Sequence, residues 1–406
     1  MNDFGVTRAP RSIVFGLGQR GALGRAAAQV GRAAFVCTDQ RLSAEPVFAA
    51  MMDDLKAHGV AMRVYDRTVA ELPLGCVDEA LRSASGFGTD LVVGIGGGSC
   101  TDLAKVVALL LAHDGHPRDY YGEFKVPGPV VPMIAVPTTA GTGSEVTPVA
   151  VLGDPERAMK VGISSPHLIA HTAICDPELT FSCPSGLTPV SGADALTHAI
   201  EAFTAIARPV TPTLAYEHVF VGKNALSDAY ALQAIRLLSR SLRMAVQSAG
   251  DETARVAVMR GALLAGLAFG TAGTAAAHAI QYPVGALTHT PHGAGVAQLM
   301  PYVMAFNRPS CLPAMAEVAR AMGVAGDQDE EALSHAAVTA VVALFGTIGI
   351  PATLAAIDLP ADKIDWVAEQ SLASQRLVKN NPRSLDVVAL KTIVSAAFHG
   401  NLEEAL

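Results

Sequence analysis

The sequence predicts two fold classes in series: an α/β domain built on a parallel sheet over residues 1–184, and an all-helical domain over residues 185–406. Three observations carry this. Up to about residue 184, short apolar runs rich in β-branched residues alternate with helical patterns, as in successive βαβ units. Those runs are near-continuous rather than alternating, so the strands are covered on both faces, which is the habit of parallel strands. Beyond Pro184 strand signals become scarce and one helical periodicity follows another. A chain of 406 residues is also too long for one ordinary domain of roughly 100–200 residues.

Taken in order, Arg11–Gly16 (RSIVFG) reads as a strand and Gly21–Val30 as a helix. Ala33–Thr38 (AAFVCT) reads as a strand, Ala49–His58 as a helix, Ala61–Tyr65 as extended and Cys76–Ala84 as a helix. Asp90–Gly94 (DLVVG) is a strand and Thr101–Ala112 a helix with an apolar face. Val130–Val136 and Ala173–Cys175 complete the strands. In the second half, Gly192–Phe203, Asn224–Ser239, Thr253–Ala268, Pro313–Met322, Glu331–Phe345, Lys363–Ala373 and Val387–Ala397 read as helices. No repeat and no low-complexity linker separates the halves, so the boundary is expected to be tight. Ligand sites favour such inter-domain clefts.

Composition narrows the function. Half the residues are hydrophobic and only 16% are charged, which excludes a disordered chain. The net charge is −8 with 29 Lys and Arg and no basic run, and the chain has a single Trp. This argues against a nucleic-acid surface or a polybasic membrane anchor. The six cysteines form no CxxC pair and are widely spread, as in a reduced compartment without a cysteine-based zinc site. The opening MNDFGVTRAPRS lacks the apolar stretch of a secretory signal. The longest apolar runs, Val106–Ala112 and Ala336–Phe345, fall short of the roughly 18 residues that span a bilayer. A soluble, cytoplasmic protein without a membrane partner is the expectation.

Two glycine clusters compete for a phosphate. Gly96-Gly97-Gly98-Ser99 follows the strand DLVVGIG and opens a helix. Glycines there let the backbone approach a phosphate, and the free N–H groups at the helix start favour the anion. Ser99, Thr101 and Asp102 suit capping of that helix; the plain alternative is a tight, capped turn. Gly16-Leu17-Gly18-Gln19-Arg20-Gly21 matches GxGxxG, and Asp39 follows at the fingerprint spacing of roughly 20 residues, at the end of the second strand. An acid there favours NAD over NADP, although a turn-forming aspartate is an equal reading of the residue. A small-hydroxyl loop, Thr138-Thr139-Ala140-Gly141-Thr142-Gly143-Ser144-Glu145, follows another strand and can hydrogen-bond a cofactor without crowding it.

In the helical half, Asp194 and His198 lie four apart and so share one helix face. His278 and His292 follow later in the chain. One carboxylate and three imidazoles suit a divalent ion such as Fe²⁺ or Zn²⁺. Spacing alone does not bring the two segments together, and each histidine also has a structural reading.

Four ordered stretches resemble the iron-containing (group III) alcohol dehydrogenases: GGGSCTDLAK (96–105), PTTAGTGSEVT (137–147), GADALTHAIEAF (192–203) and HAIQYPVGALTHTPHG (278–293). A weaker match is NPR at 381–383. The resemblance implies a Rossmann-like α/β domain and a dehydroquinate synthase-like helical domain, with the site between them. It implies the metal ligands Asp194, His198, His278 and His292, holding Fe²⁺ or alternatively Zn²⁺. It places a pyrophosphate on Gly96, Gly97, Gly98 and Ser99, with Asp102 nearby, and Asp39 on the adenosine ribose. Thr138, Thr139, Thr142, Thr147 and Lys160 fall where relatives contact the nucleotide, and Gly16–Gly21 becomes a structural turn. Phe269 falls where relatives line the substrate pocket.

One position departs from the pattern. Many relatives carry a second histidine where this chain has Tyr282, and a phenol does not shuttle protons near neutral pH as imidazole does. Proton exchange then runs through water and ribose hydroxyls, or His289 takes part as a pocket residue; a loop histidine is its plain reading. A tyrosine here also resembles the hydroxyacid–oxoacid transhydrogenase branch, with a tightly held nicotinamide. The presence of Asp194 argues against the maleylacetate reductase branch.

The expected reaction is a hydride exchange between an alcohol or aldehyde and NAD(H), with the metal polarising the oxygen. His278 and His292, with Tyr282 and His289, are the residues expected nearest the chemistry. A lyase resembling dehydroquinate synthase would need cations for a polyanionic substrate, and Gly261–Met300 contains no Lys or Arg. A non-enzymatic metal binder fits poorly with a complete nucleotide loop. The implied partners are a small alcohol or aldehyde and further copies of the chain, as a homodimer or larger homo-oligomer.

Overall fold

The computed structural model describes residues 3–157, 160–326 and 329–405. Its contacts divide the chain into two compact units. The first is α/β and runs from Arg8 to Cys183, with Tyr216–Val219 added. The second is helical. It takes in Pro184–Ala215, the chain from Phe220 onward, and the first residues through Thr7.

The division is therefore not the single cut that periodicity suggested. The amide of Ala225 donates to the Phe4 carbonyl and that of Val6 to Asn224 Oδ1, so the amino-terminal segment is fastened to a helix start. In the other direction, Arg8 donates to the carbonyls of His218 and Val219.

In the α/β unit the elements are β1 (Ser12–Phe15), α1 (Leu23–Val30), β2 (Ala33–Cys37), α2 (Gln40–Ser43), α3 (Pro46–Ala57), β3 (Ala61–Tyr65), α4 (Leu74–Ala84), β4 (Leu91–Gly96), α5 (Gly98–Ala112), β5 (Gly122–Glu123), β6 (Met133–Pro137), β7 (Val149–Leu152), β8 (Val161–Ser164) and β9 (Thr172–Cys175). Six strands pair in the order β1-β9-β6-β4-β2-β3, all parallel. Strand residues alternate between two cores. Ala34 and Val36 face Leu23, Met51 and Leu55 of α1 and α3. Phe35 and Cys37 face Val77 and Ala80 of α4 and Leu103 and Val107 of α5. This double cover explains the near-continuous apolar runs.

The chain passes from β2 and β3 to β4 on the other side of β2, so the sheet changes direction between β2 and β4. Ligands of open α/β sheets sit beyond the strands' carboxyl ends at such a point. Asp39, Gly96–Ser99 and Thr138–Thr142 follow the adjacent strands β2, β4 and β6, and so share that edge. A second, three-stranded sheet in the order β5-β8-β7 was not foreseen; its strands are two to four residues long.

The helical unit consists of α6 (Leu187–Thr204), α7 (Leu214–Glu217, shared with the other unit), α8 (Ala225–Gln247), α9 (Glu252–Ala272), α10 (Ala276–Thr288), α11 (His292–Asn307), α12 (Leu312–Ala321), α13 (Glu330–Thr347), α14 (Ile364–Ser371), α15 (Gln375–Asn380) and α16 (Val387–His399). Among the described residues its strand-like pairing is one isolated bridge, Ala207 with Gly222. α6 is buried on nearly every side, a core helix rather than an amphipathic one. α9 is 21 residues long and apolar enough to cross a bilayer by length and composition, contrary to the count of uninterrupted apolar runs. Most of it, 72% of the apolar window, is buried inside the protein, so it serves as core.

α10 and α11, each with an internal proline (Pro283 and Pro301), escaped the periodicity reading. Proline disfavours a helix interior, and here tertiary packing overrides that preference. The six cysteines are all free, and Cys37, Cys76, Cys100 and Cys175 are buried.

Candidate active site

Asp194 and His198 stand one turn apart on α6, His278 in the first turn of α10, and His292 at the first residue of α11. The three segments converge. One ligand atom from each of Asp194, His278 and His292 lies within 4.8 Å of the others. His278 Nε2 is 3.8 Å from Asp194 Oδ1, and His198 Nε2 is 3.7 Å from the same oxygen, just outside that tight trio. The His198 ring stacks on His278 at 4.7 Å and on Phe269 at 4.1 Å. Asp194, His198 and His278 are buried, and His292 is half-buried. His278 Nε2 is buried without a hydrogen-bond partner. A carboxylate and imidazole nitrogens brought together in this way suit a divalent cation of the Fe²⁺ or Zn²⁺ kind.

Close approach of the backbones makes the convergence possible. A Cβ on Gly293 would stand 2.6 Å from the Val190 carbonyl and 2.9 Å from Asp194 Cβ, so only glycine lets α11 lie against α6 there. A Cβ on Gly295 would strike the Gln281 side chain, which wedges between α10 and α11.

Reading the helical motif for ligands alone missed Glu201. It is fully buried on α6, and its carboxylate takes three bonds: from His278 Nδ1 at 2.6 Å, from the Ala275 amide at 2.9 Å and from the Ala277 amide at 2.8 Å. Burial alone would push this carboxyl up; His278 and the two amides outweigh it and hold it below the usual carboxylate range. The signal was present in the sequence, because Asp194, His198 and Glu201 follow the i, i+4, i+7 stripe of one helix face.

Tyr282 stacks over His292 at 6.0 Å. His289 is exposed, caps the end of α10 in the left-handed region (φ 54°), and is not one of the Asp194–His278–His292 group. The structure shows its turn role; a pocket role remains the expectation from the sequence.

In the α/β unit, α5 begins at Gly97 with no side-chain cap. Ser99, Thr101 and Asp102 do not serve as caps, contrary to the capping expectation. Gly96 has φ +147°, and a Cβ there would lie 2.6 Å from Cys100 Sγ. A Cβ on Gly98 would lie 2.7 Å from Thr142 Cγ2, so the glycine turn and the threonine loop touch. The Thr138 amide donates to the Gly96 carbonyl. Gly97, Gly98, Ser99, Thr139 and Thr142 are half-buried and open to a ligand, whereas Thr138 is buried. Asp39 accepts from the Leu42 amide through Oδ1 and so caps α2; Cys100 Sγ lies 3.9 Å from its Oδ2.

Other predicted contacts are otherwise engaged. Asp102 accepts from Ser144 Oγ at 2.5 Å and from the Val151 amide at 3.0 Å. Thr147 gives its carbonyl and hydroxyl to Lys105. Lys160 pairs with Glu71. In the other glycine cluster, the amides of Gly18 and Arg20 donate to Asp176, a fully buried carboxylate that fills the place a phosphate would take.

Beneath the loop lies a buried set that the motifs did not flag. Lys105 Nζ donates to Ser144 Oγ, the Thr147 carbonyl and hydroxyl, and the Val149 carbonyl. Burial pulls this amine down to about 8 against the pull of Asp102 and Glu145. Burial pushes Glu145 up to about 7, only partly offset by its own backbone amide and Lys105. The sequence signal for Lys105 was a lone cation in an apolar helix.

The family described as "Iron-containing alcohol dehydrogenase" matches residues 10–177, and the C-terminal part of that family matches residues 213–398. The chain is 37% identical to long-chain-alcohol dehydrogenase 1 of Geobacillus thermodenitrificans, over 91% of this chain and 90% of that protein. A 1,3-propanediol oxidoreductase structure superposes with a TM-score of 0.91 at 29% identity, over 97% of this chain and all of the other. The structure of sulfoacetaldehyde reductase from Bifidobacterium kashiwanohense in complex with NAD⁺ superposes with a TM-score of 0.82 at 27% identity, over 97% and 98%. The chain is an oxidoreductase of the alcohol dehydrogenase class. It belongs to the iron-containing alcohol dehydrogenase family.

Proposed function

We propose that this protein is an NAD(H)-dependent, divalent-metal alcohol dehydrogenase and aldehyde reductase acting on small, neutral substrates. The observation that carries the reading is the convergence of Asp194, His278 and His292 from three separate helices. When bound, the metal supplies polarisation of the alcohol or aldehyde oxygen, and the nicotinamide accepts or gives the hydride.

The chain's own residues then have separate tasks. Asp194, His198, His278 and His292 hold the metal, Asp194 contributing the charge. Phe269, stacked on His198, presents an apolar surface beside the ligands. The uncapped start of α5, with Gly97, Gly98 and Ser99, takes the pyrophosphate. Thr139 and Thr142 line the nucleotide, and Lys105 anchors the loop that carries them. Asp39 faces the adenosine ribose and disfavours a 2′-phosphate. Asp102, Thr147 and Lys160 support this loop and its surroundings instead of touching the nucleotide.

A hydroxy-acid substrate would need a cation. Of the three candidate cations, Lys223 is engaged with the Phe203 carbonyl and Asp228, and Arg383 with the Phe306 carbonyl, while Lys379 is exposed; the two engaged side chains support the neutral-substrate reading over a transhydrogenase. The test is NADH formation by Fe²⁺-reconstituted protein over primary alcohols, diols and hydroxy acids, with and without an oxo-acid acceptor. Chelator-sensitive NADH formation without acceptor is expected. Oxidation of a hydroxy acid only in the presence of acceptor, with no free NADH, would overturn the reading in favour of a transhydrogenase.

A further inference from the structure

We propose that Glu201 is a positioning residue: it fixes the tautomer and orientation of His278 and thereby sets the protein's affinity for a divalent cation. The proposal rests on the metal-site reading above and goes beyond the ligands themselves.

The geometry is specific. Glu201 Oε2 sits 2.6 Å from His278 Nδ1, and a carboxylate can only accept, so Nδ1 carries the hydrogen. The lone pair is then on Nε2, the buried nitrogen that lies 3.8 Å from Asp194 Oδ1 and has no hydrogen-bond partner. Were Nδ1 left to choose, the other tautomer would put a hydrogen on Nε2 and remove the donor. An outer carboxylate on a ligating imidazole commonly has this effect, and its loss costs about 10- to 100-fold in metal affinity.

Glu201 has a second task that ties the first to the fold. α10 starts at Ala275 with no side-chain cap of its own, and the amides of Ala275 and Ala277 both donate to Glu201. One carboxylate from α6 thus closes the start of α10 and orients the histidine three residues into it. α6 supplies a metal ligand, a neighbouring imidazole and the group that aims a ligand on another helix. Two buried carboxylates, Asp194 and Glu201, also match the charge of one divalent ion.

The experiment is titration of Co²⁺ into the metal-stripped full chain, followed by visible absorption, with Zn²⁺ competition for affinity. Glu201→Gln keeps the size but sets an NH₂ group against either Nδ1 or the Ala277 amide. Its Co²⁺ Kd is expected to rise 10- to 100-fold with a changed absorption envelope. Ala277→Gly loosens the same turn of α10 while keeping every Glu201 bond; it is expected to lower Tm and leave Kd and spectrum in place. If Glu201→Gln folds and binds Co²⁺ within twofold of wild type with the same spectrum, the proposal fails. An equal loss of affinity in Ala277→Gly would also overturn it, since Glu201 would then be only a helix cap.

If Glu201→Gln does not fold, Glu201→Asp decides. It keeps the charge and draws the carboxylate back by one methylene, and an unchanged Kd there sinks the idea. Wild-type protein that binds no Co²⁺ or Zn²⁺ would overturn the metal-site reading and this proposal together. Tight wild-type binding with unaltered variants would overturn this proposal alone.

Discussion

Asp39 caps α2, and the cap can be separated from the cofactor-selecting charge proposed for the same side chain. Its Oδ1 caps α2, so Asp39→Gly removes both the charge and the side-chain cap, at a cost of only a few tenths of a kcal/mol for the cap because glycine is itself a tolerated N-cap. Asp39→Asn keeps a capping oxygen and removes the charge. We expect it to raise kcat/KM with NADP relative to NAD while leaving Tm near wild type; an unchanged ratio would count against placing Asp39 at the ribose. His278→Ala is expected to abolish metal binding and turnover but to leave NADH binding intact by fluorescence titration. At this scale the candidate ligands were legible as residue types, while their convergence was not, because spacing does not bring the segments together. Glu201 and Lys105 were harder, because a buried charge declares itself only through the partners that neutralise it. His289 is the C-cap of α10, a position that spacing could not tell from a ligand-facing loop, since a histidine carries the same letters in either.

Among the elements, α11 depends on a close crossing with α6. Gly293→Ala places a Cβ against the Val190 carbonyl, and backbone cannot swing aside as a side chain can. The helices must separate, with an expected loss of about 1–3 kcal/mol, read as a lower Tm, and weaker Co²⁺ binding. The segment carrying Ser144–Val146 has a pH response of its own. Burial raises the folded value of Glu145 to about 7, above that of the unfolded chain. Its contribution to stability is therefore fully present below about 4.5 and is lost as pH rises through about 7. Glu145→Gln should raise Tm at pH 7.5 more than at pH 5. A shift that is equal at both values would mean that the carboxyl is ionised throughout. Strands and most helices followed from periodicity, whereas α10 and α11 did not. Their prolines and glycines oppose helix locally, and packing of α10 and α11 on α6 and on each other decides the outcome.

For the whole molecule, a cation that binds only the folded chain stabilises it by mass action, about 2.7 kcal/mol at a hundredfold excess over Kd. Chelation should lower Tm, and Fe²⁺ or Zn²⁺ should restore it, whereas Mg²⁺ should not, because imidazole is a poor ligand for it. A Tm indifferent to chelator would contradict a metal held by Asp194 and three histidines. The sequence by itself determined the class of each half, the sheet's doubly covered strands, and which residue types were available for phosphate and metal. These follow from local periodicity and from chemistry carried by single residues. Tertiary structure alone decided that three helices bring Asp194, His278 and His292 together, that Asp176 occupies one glycine turn and leaves the other open, and that the first residues join the helical unit. These depend on contacts between segments far apart in the chain, and a short-range pattern holds no record of such contacts.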